Sequence, residues 1–198
     1  GEIKGFPENI LIRSSRSFSV EEYPVGGGNG SGDRYTTSWE IGVCLALLPR
    51  QPLERRQKNR DVGYFSFSKT DFSKSRFALS QVSCVKRWRL VPRDLEAYSR
   101  GELVEPEKPI VFYVDNAFPE SWKKYIKAGV EEWKDAFERI GFKNAIVAKD
   151  FPVNDPEFDP DNVKFSCVRY SPSQVANAMG PSWTDPRTGE ILNASVYL

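Results

Sequence analysis

Residues 110–148 read IVFYVDNAFPESWKKYIKAGVEEWKDAFERIGFKNAIVA, and this stretch decides the fold of the chain. Ile110–Val114 is a continuous apolar and β-branched run, which is typical of a central strand covered on both faces. Pro119 suits the start of a helix and Gly141 its end, and Ala145–Ala148 follows as a second apolar run. A strand, a helix and a strand in this order predict a βαβ unit with parallel strands and a right-handed crossover.

The predicted helix carries large apolar residues on one stripe, at steps of three and four positions. They are Trp122, Tyr125, Ile126, Val130, Trp133, Phe137 and Ile140. Lysine and glutamate residues fall largely outside this stripe, so we expect the stripe to pack in the core. A ligand site lined by the two tryptophans is the alternative, and helical spacing favours core packing over it.

Upstream of this unit the sequence indicates β structure. Apolar residues alternate with less uniformly apolar ones across Trp39–Leu47, as in a strand with one buried face. Further apolar runs at 62–67 and 77–90 are separated by polar turns, which predicts an antiparallel meander.

The transition between the β-rich and the mixed parts lies near residue 105. A short helix is predicted at 93–100, and the proline-containing segment 105–109 predicts a stiff connector after it. The fold class is therefore α+β, with a β-rich domain at 1–105 and a second domain at 106–198.

Composition limits the classes of function. The 28 basic and 27 acidic residues nearly cancel, and 39% of the residues are hydrophobic, so we expect a globular protein with a core. A balanced charge argues against nucleic acid as a partner, and no apolar run is long enough for a transmembrane helix. The cationic run at 50–60 is expected to be a solvated loop.

Two further features have a structural and a functional interpretation. Cys44, Cys84 and Cys167 are far apart and lie in apolar runs, which favours three packed free thiols, with one disulfide as the alternative. Gly26–Gly32 lacks the Gly-Lys-Ser/Thr ending of a phosphate loop, which favours a flexible loop between strands.

Residues 154–162 contain four carboxylates within nine residues. Calcium takes oxygen ligands from loops of this kind, so Asp155, Asp159 and Asp161 are candidate ligands. Two prolines and the lack of a mid-loop glycine favour an ordinary acidic surface loop instead. Farther on, Asp185–Gly189 predicts a tight turn, with strands on either side that begin near Trp183 and Ile191.

The last residues, 191–198, alternate in polarity as a strand does, and the chain contains no histidine. A domain usually ends in a polar, frayed tail. We therefore expect this chain to be a piece of a larger protein, with any targeting signal outside it.

An ordered series of motifs resembles a family of bacterial zinc-dependent metalloproteases that is common in gut Bacteroidetes. The motifs are Arg60–Phe65, Arg87–Leu90, Gly101–Pro106, Lys108–Asp115, Trp133 with Ala136 and Phe137, Gly141–Ile146, Asn177–Pro181 and Asp185–Leu192. The resemblance covers roughly residues 34 to 198. It implies an exported, metzincin-like zinc endopeptidase, of which 1–105 would precede the catalytic domain and 106–198 would form its first half.

The resemblance also implies where the chemistry lies. The signature H-E-x-x-H-x-x-G-x-x-H would follow Leu198, in the missing C-terminal half of the catalytic domain, so this chain would hold neither zinc ligands nor the catalytic glutamate. In zincins of this kind an antiparallel edge strand pairs with the extended peptide substrate. The candidate residues for that strand are Ile191, Leu192, Asn193, Ala194, Ser195 and Val196. An internal strand covered by other sequence is the alternative.

Two other functions stay open from the sequence. The chain fits a non-catalytic, β-rich binding module, and it also fits a degenerate relative of the peptidases. The sequence that follows Leu198 discriminates between them, since only an active peptidase requires both zinc-binding histidines and the glutamate. For the chain alone we expect neither peptidase activity nor tight zinc binding.

Overall fold

The computed structural model of the protein describes residues 1–22, 33–73, 79–173 and 177–198. Gly26–Gly32, the predicted flexible loop, lies outside the described residues. The described residues form a mixed, β-rich structure of ten strands and three helices. In chain order they are β1 (Glu2–Gly5), β2 (Asn9–Glu22), β3 (Asp33–Ala46), β4 (Ser66–Asp71), β5 (Ser80–Val85), α1 (Leu95–Ser99), β6 (Ile110–Val114), α2 (Glu120–Glu131), α3 (Lys134–Glu138), β7 (Ile146–Asp150), β8 (Ser166–Arg169), β9 (Ser182–Thr184) and β10 (Ile191–Tyr197).

Contacts divide the chain into a first unit, Gly1–Leu47, and a second unit, Leu48–Leu198. These units do not follow the predicted boundary at residue 105. The predicted connector is built into the second unit, because the Glu107 amide donates to Val91 O at 2.8 Å and the Arg93 amide donates to Glu105 O at 2.9 Å. Pro106 is fully buried between these bonds.

The first unit is an antiparallel sheet in the order β1-β2-β3. β2 and β3 form a long hairpin that is paired from Asn9 and Ala46 to Glu22 and Asp33. The predicted strand at 39–47 is confirmed as part of β3, but its apolar face is not buried as predicted, since Trp39, Val43 and Leu45 are exposed. In the second unit, β4 and β5 pair antiparallel, but they form a separate two-stranded sheet, so the predicted meander is confirmed for this one pairing and not for a pairing of β3 with β4.

A five-stranded sheet in the order β7-β6-β8-β10-β9 forms the centre of the second unit. β6 is parallel to β7 and to β8, and β8 is parallel to β10. Only β9, among the described strands of this sheet, runs antiparallel to its neighbour. The predicted parallel βαβ unit is therefore confirmed, with β6 as an internal strand.

The helix between β6 and β7 is shorter than predicted. α2 ends at Glu131, Glu132 and Trp133 form a turn, and α3 completes the connection to Gly141. Gly141 has a φ of +92°, the left-handed conformation that ends helices. The predicted stop at this glycine is therefore confirmed, although the helix is broken once before it.

Both faces of the sheet are covered near its centre. On one face Val114, Phe118 and Val168 form a buried cluster against which Ile126 and Val130 of α2 pack. Tyr113 points to the opposite face by strand alternation, and it contacts an aromatic group there. That group consists of Phe151, Phe158 and Phe165, with ring centroids 4.8–5.5 Å apart among neighbouring rings.

Part of the predicted helical stripe is not buried. Trp122, Tyr125, Trp133 and Ile140 are exposed, whereas Ile126 and Val130 face the core as predicted. The buried face is rotated toward Lys123, which is 8% exposed. Its ammonium donates to Glu120 Oε1 at 2.8 Å, so a lysine with a paired charge lies on the buried side of α2 while Trp122 beside it is exposed.

The cysteines are three free thiols, as the favoured interpretation predicted. Cys84 and Cys167 are buried and Cys44 is partly exposed. Burial raises the pKa of the Cys167 thiol to about 12, so this thiol stays protonated at neutral pH. No helix within the described residues has the length and apolar character needed to cross a membrane.

Candidate functional site: an open antiparallel sheet edge

The segment from Met179 to Asp185 forms the edge of the five-stranded sheet. Met179 and Tyr197 exchange two backbone hydrogen bonds, of 3.1 and 2.7 Å. The Ser195 amide then donates to Pro181 O at 3.0 Å, and the Asp185 amide donates to Glu190 O at 2.8 Å. Every second residue of the segment therefore directs its backbone toward β10.

The alternate residues direct their backbone outward. In an antiparallel ladder the N–H and C=O of successive residues point to opposite sides of the strand. Gly180, Ser182 and Thr184 therefore present their backbone groups on the side away from β10. Within the described chain no further strand pairs with that side of β9. The outer edge is a row of backbone donors and acceptors open to an extended peptide.

Apolar side chains lie beside this row. Trp183 is paired with Asn193 of β10 and is 46% exposed. By alternation it lies on the face opposite Val196, which packs toward α2. Met179 is also exposed, and it lies four residues before Trp183, on the same face of the strand. A peptide paired with β9 would therefore meet the indole of Trp183 on one face.

The turn between β9 and β10 is held by Asp185, whose side chain is fully buried. Its Oδ1 accepts from the Arg187 amide at 2.8 Å, and its backbone oxygen accepts from the Gly189 amide at 2.8 Å. The Arg187 guanidinium binds both carboxylate oxygens, at 2.7–3.1 Å. These hydrogen bonds hold the pKa of Asp185 below its usual value, with the Arg187 side chain as the main cause. The predicted turn at 185–189 is confirmed.

Gly189 fits this turn for two reasons. Its φ is +84°, a conformation that other residues adopt only with strain. A Cβ atom at this position would also lie against Val85 O and the ring of Phe67. The turn is therefore packed directly on the β4–β5 hairpin.

Three arginines, which we call the arginine clamp (Arg87, Arg89 and Arg187), tie this turn to the segment at 49–54. Arg187 Nη2 donates to Pro49 O at 2.7 Å, Arg89 Nη2 to Gln51 O at 2.8 Å, and Arg87 Nη2 to Glu54 O at 2.7 Å. The cationic run at 50–60, predicted to be a solvated loop, is mostly exposed but is anchored through its backbone.

Arg89 also binds Glu190 at the start of the last strand. Both guanidinium–carboxylate distances are 2.7 Å, and the Glu190 side chain is 7% exposed. Next to it, the Arg87 amide donates to Gly189 O at 3.0 Å and the Ile191 amide donates to Arg87 O at 2.8 Å. Bidentate pairing of this kind fixes geometry as well as adding stability, so the clamp holds the base of the edge hairpin in one position.

The residues predicted to pair with substrate, Ile191–Val196, lie in β10, and the structure contradicts their expected edge position. β9 pairs with one side of β10, and Cys167–Arg169 of β8 pair with its other side. Asn193 adds side-chain hydrogen bonds to Val163 O and Phe165 O, of 3.0 and 2.8 Å. The backbone of β10 is therefore occupied on both sides, and the open edge lies one strand farther out.

Sequence reasoning missed Gly180, Ser182 and Thr184 as candidate site residues. The signal that could have found them is the Asp185–Gly189 turn, which requires an antiparallel partner before it as well as after it. That partner contains only three residues in regular strand geometry and follows Pro181. The sequence therefore predicts a strand near Trp183 but does not indicate that this short strand forms the outer edge of the sheet.

No group of three or more histidine, cysteine, aspartate or glutamate side chains that could hold a metal ion occurs among the described residues. Asp155, Asp159 and Asp161 are not brought together. Asp155 Oδ1 accepts from the Glu157 amide at 2.9 Å, and Asp159 Oδ1 accepts from the Asp161 amide at 2.8 Å. These short local bonds are those of an acidic loop made of successive turns.

Comparison with known proteins finds one family model that is similar to the N-terminal part of the chain. Residues 1–93 match a family described as a domain of unknown function, DUF5117. The match ends within the second unit, close to the boundary predicted at residue 105. No curated protein and no solved structure shows a significant match to the chain.

Proposed function

We propose that this chain is the supporting part of an exported zinc metallopeptidase, and that the outer edge of β9 aligns an extended peptide substrate. The zinc ligands and the catalytic glutamate would come from sequence outside this chain. The observation that carries the proposal is the antiparallel edge strand at the end of a parallel sheet, with the backbone of Gly180, Ser182 and Thr184 open.

The surroundings of the edge support a role in alignment. A peptide that adds a strand gains main-chain hydrogen bonds, and these place its scissile bond without strong sequence preference. Such placement requires a rigid edge, because small displacements of a reacting group reduce rates strongly. The arginine clamp and the buried turn at Asp185 supply that rigidity.

The exposed aromatic residues of the central helices support a second part of the proposal. Trp122, Tyr125 and Trp133 are each more than half exposed, although they lie beside the buried face of α2. Large apolar side chains in such a row are typical of a surface that another element covers. We propose that the missing C-terminal half of the catalytic domain packs on this row.

The residues of this chain do not by themselves fit a zinc site of the proposed type. Such a site requires neutral imidazoles, and the chain has no histidine. The described acidic and cysteine side chains form no group that substitutes for them. The role we propose for this chain is to bind and orient the peptide, not to activate water.

Backbone pairing at β9 can be tested with the chain itself. The probe is a capped hexapeptide of alternating lysine and valine, added to ¹⁵N-labelled protein and followed by NMR. We expect shifts of the Gly180, Ser182 and Thr184 amides. A peptide of the same sequence with alternate N-methylated amides should bind less tightly, because it cannot complete the ladder.

Two variants at one position sharpen the test. Ser182→Pro removes an outward N–H while leaving the bonds to β10 in place, so we expect an affinity loss of up to about tenfold. Ser182→Ala keeps the N–H and serves as the matched control. Equal affinity of Ser182→Pro and Ser182→Ala, or shifts confined to residues outside 179–185, would contradict pairing at this edge.

The catalytic half of the proposal depends on the sequence after Leu198. A coding sequence that continues into a helix with two histidines four residues apart and an intervening glutamate supports it. A longer protein with that sequence should hydrolyse casein in a chelator-sensitive reaction, and the chain described here should not. Hydrolysis by this chain alone would show that the assignment of its role is wrong.

A further inference from the structure

The β2–β3 hairpin of the first unit carries an apolar face, which we call the hairpin face. Cross-strand partners share a face of a sheet, so the register identifies its members. Arg16 is the one charged side chain on the hairpin face between Ile10 and Val20 of β2 and between Tyr35 and Leu45 of β3. The apolar members are Ile3, Ile10, Ile12, Phe18, Val20, Tyr35, Trp39, Ile41, Val43 and Leu45.

The opposite face of the same strands is polar from Ser15 to Ser19, whereas Leu11 and Cys44 lie on it nearer the start of β2. It contains Ser15, Ser17 and Ser19 on β2, opposite Glu40, Ser38 and Thr36 on β3. Ser17 and Ser38 join across the strands through a hydroxyl hydrogen bond of 2.7 Å. An antiparallel sheet of this kind normally has its polar face in water and its apolar face against another layer.

Within the described part of the first unit, which is a single three-stranded sheet, no element forms such a layer on the hairpin face. Trp39 is 62% exposed, and Ile3, Ile10, Phe18, Tyr35, Val43 and Leu45 are exposed too. If a large apolar side chain has a full surface of about 200 Å², the exposed fractions of these seven residues correspond to roughly 700 Å² of accessible area. A standard protein–protein interface takes about 800 Å² from each partner, and isolated apolar patches on monomers are usually smaller.

We propose that the hairpin face packs against the same face of a second copy of this chain, as a two-layer β-sandwich. A two-fold contact requires one patch that complements itself. The hairpin face meets that requirement, because it combines projecting rings with a shallow groove of about 660 Å³ between Phe18, Val20, Trp39 and Ile41. Along this stretch each face carries one charged side chain, Arg16 beside Trp39, so the layer between two such faces is free of charge apart from these two arginines.

This inference goes beyond the proposed peptidase role and does not depend on it. The hairpin face belongs to the first unit, whereas the candidate peptide edge belongs to the second unit. A dimer would present two peptide edges per particle, whatever the chemistry of the complete protein.

Sedimentation equilibrium across about 1–200 μM protein tests the proposal. We expect reversible association from 22.5 kDa to twice that mass. Trp39→Arg should raise the dissociation constant at least tenfold, since it removes the largest ring of the face and places a second positive charge beside Arg16. Trp133→Arg is the matched control, because Trp133 is also 62% exposed but lies between α2 and α3.

Ser38→Arg, on the polar face beside Trp39, tests whether any charge on the hairpin acts in the same way, and it should leave the dimer intact.

A second measurement avoids reliance on folding of the Trp39 variant. In a Cys44→Ser background, Thr37→Cys should cross-link between copies with a short reagent, whereas Ser38→Cys should not. A monomer at all concentrations, dissociation by Trp133→Arg rather than Trp39→Arg, or cross-linking at position 38 alone would overturn the proposal.

Discussion

The three-stranded sheet of the first unit and the five-stranded sheet of the second unit differ in what covers them. In the second unit, α2 packs on one face of the parallel strands and an aromatic group packs on the other. In the first unit, three antiparallel strands leave an apolar face exposed. The same amino acid types therefore stabilise the second unit internally, whereas in the first unit they form a surface for association.

Connectivity explains the difference. Two parallel strands require a crossover, and the crossover between β6 and β7 places α2 on the sheet. A hairpin needs only a turn, so β2 and β3 can pair along fourteen residues each without a covering layer. Apolar alternation in the first unit consequently predicts a sheet with one apolar face, but not what packs on it.

The largest effect should come from truncating one phenylalanine in each unit. Phe118 is 3% exposed and contacts Val114, Val168 and the ring of Tyr170, so Phe118→Ala should lower the free energy of unfolding by about 3–5 kcal/mol. Phe18 is 43% exposed, so Phe18→Ala should lower the free energy of unfolding by about 1 kcal/mol or less. Urea unfolding followed by circular dichroism near 1 μM measures both.

The low protein concentration in that experiment keeps association out of the comparison. Equal losses for Phe118→Ala and Phe18→Ala would show that the hairpin face is buried in the single chain. A small loss for Phe118→Ala alone would instead show that the packing of α2 on the sheet contributes little.

An ion pair in each unit gives the next largest contrast. Arg89 and Arg13 are similarly exposed, at 34% and 35%, but their partners differ, since Glu190 is 7% exposed and Glu2 is 54% exposed. Removal of a buried partner leaves the remaining charge poorly solvated, so Glu190→Ala should cost about 2–3 kcal/mol. Glu2→Ala should cost less than about 0.5 kcal/mol, as exposed pairs do.

The same denaturation assay measures this pair, and NMR locates the effect. Glu190→Ala should shift the amides of the turn at 185–189 and of β9, because the arginine clamp holds that hairpin. If Glu190→Ala proves as mild as Glu2→Ala, the clamp is not a source of stability, and the rigid edge in the proposed function loses its support.

Local pattern predicted much of the second unit. Ile110–Val114, the helix start at Pro119, the stop at Gly141 and the turn at 185–189 each depend on neighbouring residues, and each is confirmed. The face of α2 was predicted only in part. Ile126 and Val130 are on the core side, but Lys123 is buried as well, and a pattern of hydrophobicity alone does not predict a buried lysine.

Features that join distant parts of the chain could not be predicted in this way. The position of β10 inside the sheet depends on β8 and on the short strand β9, which carries almost no periodic signal. Arg89 and Glu190 are 101 residues apart in sequence, and nothing near either residue indicates the other. The strand with the clearest pattern, β10, is therefore predicted as the edge, although it lies one strand inside the true edge, β9.

The last contrast should change the stability of neither unit, because it concerns the reactivity of their thiols. Cys167 lies in the covered sheet, where burial raises its pKa to about 12, and Cys84 is also fully buried. Cys44 lies in the first unit and is partly exposed. Because the thiolate is the reactive form, we expect one thiol per native chain to react readily with a disulfide reagent at pH 8, and Cys167 to react about three orders of magnitude more slowly than an ordinary thiol.

Cys44→Ser should remove the fast phase of the reaction, and denaturant should make all remaining thiols reactive together. Two fast thiols in the native protein would mean that the sheet of the second unit opens far more often than its packing on both faces implies.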